Sequence, residues 1–152
     1  MKTFFLLMLF AFVFGRSNDQ EEGNTAARMC LSEEEKKLYR LIMDYRKSKK
    51  RPPIPLSGKL TQVAKAHAKD LMENYTYNPQ NSCNPHSWSE RGAWSPCCYT
   101  GDHKQAQCMW SKPKEISGYE GFGYEIAYYS SSGATAEAVS YTHLTLPTTE
   151  RV

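Results

Sequence analysis

A chain of 152 residues has room for one domain and hardly more. Its net charge of +3 falls close to neutral once Lys2 and Arg16 are set aside with a leader, which excludes recognition of nucleic acid by charge alone. One long apolar run stands at the N-terminus, too short to cross a bilayer comfortably, so no integral membrane segment is expected in the mature chain.

That run, Phe4 to Phe14, follows Lys2 and ends near the small residues Gly15 and Ser17. This is the layout of a secretory signal peptide over residues 1–16. A core helix would instead carry a polar face. Residues 17–30 are mostly small and polar, without period, and read as a flexible leader. Export makes the tripeptide Asn74-Tyr75-Thr76 a candidate glycosylation site at Asn74 in a eukaryotic host. The expected location is extracellular, or periplasmic in a bacterium.

LSEEEKKLYRLIMDYRKSKK opens with a helix start. Ser32 can cap and Glu35 can complete a capping box. Leu38, Leu41, Ile42 and Tyr45 recur at three and four and mark one buried face. Pro52 and Pro53 end the helix. SGKLTQVAKAHAKDLMENY makes a second helix from about Ser57. Leu60, Val63, Ala64, His67 and Leu71 share its inner face. His67 is expected there as a core or edge histidine with one hydrogen bond.

From Asn78 to Gly118 the periodicity disappears, and Pro, Gly, Ser and Cys mark a loop-rich stretch. It contains Cys83, Cys97, Cys98 and Cys108, with His86 and His103 among them. Such a cluster can hold zinc. In an exported chain disulfides are the default. Adjacent alpha carbons lie about 3.8 Å apart, closer than a disulfide usually allows, so Cys97 and Cys98 should not pair with each other. Cys83 then joins one of them and Cys108 the other. Cys30 is left over. Trp88, Trp94 and Trp110 are expected to pack the loops against the helices.

GYEIAYYS then alternates, with Tyr124, Ile126 and Tyr128 on one side and Glu125, Ala127 and Tyr129 on the other, which predicts a strand. SSGATAEA predicts the cap and first turn of a third helix, from about Ser132 into Ala138. VSYTHLTLPTTERV, residues 139–152, is expected to break that helix after one turn. Its first ten residues match one translated frame of a DNA resembling the transposase adaptor of sequencing libraries. The stretch is therefore read as adaptor-derived, with the natural protein continuing beyond Ala138.

CNPHSWS, WSPCCYTGDH, CMWSKP and GYEIAY, together with the two helices, make residues 31–138 resemble the CAP superfamily. This superfamily, also called SCP/TAPS, groups cysteine-rich secretory proteins, antigen 5 and pathogenesis-related proteins. The resemblance implies an α+β fold, an α-β-α sandwich of CAP type. It would be incomplete, because most of the central sheet would lie beyond the chain end. It also implies a cleft of two histidines and two acids, of which this chain holds His86 and Glu125; the second acid and histidine are absent. No cofactor is required, though His86 is a candidate ligand for a divalent metal such as zinc in the full-length protein. The function implied is a secreted, monomeric, non-enzymatic binding module for a lipid, sterol, metal or protein. The alternative is a metal-dependent hydrolase or protease. For that alternative no base is placed beside Ser87 by the sequence, and catalytic residues stay unassigned.

Overall fold

The computed structural model describes residues 3–7, 31–76, 78, 80 and 82–145. Cys30 and the leader of residues 17–30 lie outside them.

Helix α1 runs Glu33–Ser48. Its capping box forms as predicted: Ser32 Oγ accepts from Glu35 N–H at 3.2 Å, and Glu35 Oε2 accepts from Ser32 N–H at 2.6 Å. Helix α2 runs Gly58–Asn74 with Ser57 as its cap. All five predicted inner residues, Leu60, Val63, Ala64, His67 and Leu71, are buried.

The stretch read as loop contains a further helix, α3, over Ala106–Ser117. Pro113 inside it removes one donor and masked the helix from a periodicity reading. The signal that marks its end is Gly118, left-handed at φ 66°, whose N–H donates to Lys114 O at 3.0 Å.

Strand β1, Thr3–Leu7, pairs antiparallel with β2, Ile126–Ser130, with Leu7 opposite Ile126 and Thr3 opposite Ser130. β1 falls within residues 1–16, the stretch read as an export signal. A short apolar run serves either role, because strand and signal ask for the same side chains. After β2 comes α4, Ala136–Ser140, capped by Thr135 rather than by Ser132. It does not break there: a π-turn carries on over Tyr141–Thr145.

Two cores flank the sheet. Leu38 and Ile42 of α1 pack with Ala136 and Val139 of α4, and Ile126 and Tyr128 of β2 lie against them. On the other side α2 packs on β1 and α3, around Leu60, Val63 and Trp88. Each buried Leu or Ile contributes about 1.5–3 kcal/mol. Glu34 of α1 also accepts the Ala136 N–H at 3.0 Å, satisfying a donor at the start of α4. The result is an α-β-α sandwich. Among the described residues its sheet has two strands, fewer than the resemblance implies, so the sheet is incomplete.

Candidate functional site

The strand alternation decides where the site sits. Ile126 and Tyr128 face α1 and α4, so Glu125, one residue earlier, turns to the opposite side, toward α2. There it meets His67. The Glu125 side chain is 4% exposed and that of His67 is fully buried.

His67 Nδ1 bonds Glu125 Oε1, and His67 Nε2 bonds the Ser87 carbonyl at 2.9 Å. An ionised carboxylate and a carbonyl can only accept. Both ring nitrogens of His67 must then donate, which makes the ring an imidazolium. Trp88 stacks on it with centroids 4.0 Å apart and planes 9° from parallel. A π-face of this kind suits a cation. Burial alone would lower the pKa of His67; the charge and hydrogen bond of Glu125, helped by the Ser87 carbonyl, outweigh burial and raise it. Burial alone would likewise raise the carboxyl of Glu125; the His67 charge and hydrogen bond, with those of His86, bring it down to about 2.

His86 takes the other oxygen: its Nδ1 bonds Glu125 Oε2 at 2.8 Å. The structure therefore brings the two predicted cleft residues into contact and adds His67 as the third. His67 differs from the expectation of one hydrogen bond, since it makes two. An imidazole on a wholly buried helix face must satisfy both nitrogens, and that was the signal in the sequence. The His86 side chain is 28% exposed. With Nδ1 directed at the Glu125 carboxylate, Nε2 is the His86 ring nitrogen left to meet a ligand.

The loop that carries His86 is tied down on every side. Asn84 Oδ1 accepts from His86 N–H at 3.0 Å, and Asn84 N–H donates to Tyr99 O at 2.9 Å. Trp88 and Cys97 form an antiparallel bridge. The disulfides are Cys83–Cys98 and Cys97–Cys108, so the open pairing resolves with no bond between Cys97 and Cys98. Asp70 of α2, not foreseen, is 3% exposed and accepts from Ser89 N–H at 2.8 Å. Asn74, the glycosylation candidate, ends α2 and donates its amide to Asp70 Oδ1 at 2.7 Å. Lys112 of α3 was also unforeseen. It is 3% exposed, bonds Glu115 Oε2 at 2.6 Å, and lies 5.6 Å from the Trp88 ring centroid.

Among the described residues no group of three or more His, Cys, Asp or Glu is arranged to hold a metal. Both oxygens of Glu125 already accept from histidines. This leaves Glu125 as the orienting carboxylate of His86, an outer partner rather than a ligand. His86 Nε2 is the one ligand atom the trio offers.

Helices on both sides of a sheet, with a buried imidazole–carboxylate centre beneath a disulfide-tied loop, define an α-β-α sandwich domain. The model of the CAP family, the cysteine-rich secretory protein family, matches residues 39–152, and the chain belongs to that family. The match takes in the stretch from Val139 onward, and Val139 itself is fully buried in the α1–α4 core. No curated protein and no solved structure matches the chain.

Proposed function

We propose that the protein is a secreted CAP-domain module that binds a ligand rather than cleaving one. The observation that carries this reading is how Ser87 and the two histidines are employed. Ser87 Oγ accepts from Tyr99 N–H at 2.8 Å. His67 reaches the Ser87 carbonyl rather than its hydroxyl. Both imidazoles direct a nitrogen at Glu125, so no nucleophile–base pair is assembled on Ser87. Secretion is supported by the two disulfides, which favour an oxidising compartment. No helix among the described residues is long and apolar enough to cross a membrane. Lipid, sterol and protein remain the proposed ligand classes, bound by a monomer.

A divalent metal, zinc foremost, fits this centre only as an accessory. It would take His86 Nε2 and supply Lewis acidity there, while Glu125 fixes the ring. Structural zinc sites use four ligands and catalytic ones three. Zinc binding by this chain is therefore expected to be weak and to vanish in His86→Ala, as read by calorimetry. In parallel, general peptide and ester substrates should not be turned over, with or without zinc. Zinc-dependent turnover lost in His86→Ala would replace the binding reading with the hydrolase.

A further inference from the structure

The second aromatic cluster lies away from the histidines, where α3 meets the loop leading into β2. Gly118 turns the chain back, and Gly123 N–H donates to Trp110 O at 3.2 Å, pinning that loop to α3. The turn sets Phe122 and Tyr124 beside Trp110. Ring centroids are 6.1 Å and 6.5 Å apart, with planes inclined by 71° and 57°. Phe122 is 61% and Tyr124 51% exposed. Trp110 and Phe122 border a cleft of about 480 Å³ whose other walls include Gln107, Ser111 and Glu120. A cleft of that volume suits a small ligand.

Charge selects the class of ligand. Lys114 pairs with Glu120 at 3.0 Å across the rim. Glu115 is taken by Lys112 at 2.6 Å and by the Ser95 N–H. The cations and anions of the cleft thus satisfy one another, and neither a phosphate nor a cationic ligand finds an unbalanced partner. Its polar walls do not suit an alkyl chain, which would leave Gln107 and Ser111 facing hydrocarbon. What remains is a neutral molecule with an apolar face for a ring and hydroxyls for an amide and a serine.

We infer that this cleft is a binding site for a neutral saccharide, with the exposed Phe122 ring stacking on the sugar, Trp110 buttressing that ring edge-on, and Gln107 and Ser111 hydrogen-bonding the sugar hydroxyls. The inference extends the binding reading to a second face. Turnover at the His86 centre would remove that reading and leave this site standing.

The test is titration of the full chain with short neutral oligosaccharides of hexose and of N-acetylhexosamine, followed by calorimetry and tryptophan fluorescence. At least one series should bind, with little dependence on salt, because no net charge is engaged. Phe122→Ala and Gln107→Ala, both at exposed positions, should each weaken binding by about tenfold or more, about 1.4 kcal/mol. Zinc binding at His86 should be unchanged in both, which also reports that the fold is intact. Any of four results overturns the inference. These are no binding by either series, binding unaffected by Phe122→Ala, preference for a sulfated glycan or a fatty acid, or self-association of the chain that Phe122→Ala abolishes.

Discussion

Glu125→Gln is expected to lose about 3–5 kcal/mol of folding stability, the usual cost of breaking a buried ion pair from one side. The glutamine keeps the shape but cannot satisfy both histidines. Its amide offers an acceptor to one ring and a donor to the other, while His67 and His86 each present an N–H to this side chain. It also removes the counter-charge of a fully buried imidazolium. The pH dependence gives the sharper signature. In the native protein the raised pKa of His67 contributes stability that is fully present below 6.5 and is lost as pH rises through the folded value. The carboxyl of Glu125, lowered from 4.5 to about 2, contributes stability that is present above 4.5 and is lost as pH falls toward 2. The pair's contribution is therefore greatest between about 4.5 and 6.5. In Glu125→Gln, His67 is a buried histidine without a counter-ion, and acid should destabilise it through that same window. Urea melts at several pH values read both effects. An unchanged pH profile in the variant would show that the pair carries no charge.

Replacing Cys97 and Cys108 together by alanine should cost about 3 kcal/mol, since the bridge closes a loop with a sequence separation of 11. The loss should reach the centre as well. Cys97 exchanges two backbone hydrogen bonds with Trp88, at 2.9 Å and 3.0 Å, and Trp88 lies on the His67 ring. Cys108 sits in the first turns of α3, so the same bridge holds that helix to the loop. Removing Cys83 and Cys98, at a separation of 15, should cost a similar amount by chain entropy while leaving the Trp88 stack in place. The comparison is between two thermal melts and two tryptophan emission spectra. Equal spectral changes in the two variants would argue against a special link from Cys97 to Trp88.

The helices were legible where pattern and cap agree. Ser32 with Glu35 and the stripe from Leu60 to Leu71 state both the boundaries and the buried faces of α1 and α2. α3 was hidden because Pro113 and the nearby cysteines resemble loop chemistry, while its one clear sign, Gly118, lies at its end. The strand was legible from alternation, and the same alternation placed Glu125 opposite Ile126. The third member of the centre was visible only as half a statement. A histidine in the buried stripe of α2 is evident in the sequence, but its two acceptors come from residues 20 and 58 positions away. Separation of that order is set by tertiary packing, which local pattern does not report. Asp70 and Lys112 were missed for the same reason, since each is buried only because a distant loop folds over it.

The centre turns on a buried charge, His67 held as an imidazolium between Glu125 and Ser87. Nitrogen-15 NMR of the histidine side chains at neutral pH measures this directly, with His67→Gln to assign the resonance. Both ring nitrogens of His67 should be protonated at pH 7, because its pKa is raised above the ordinary histidine value of about 6.5. A single protonated nitrogen at pH 7 would make His67 a neutral core residue and would remove the charge bridge on which the centre is built.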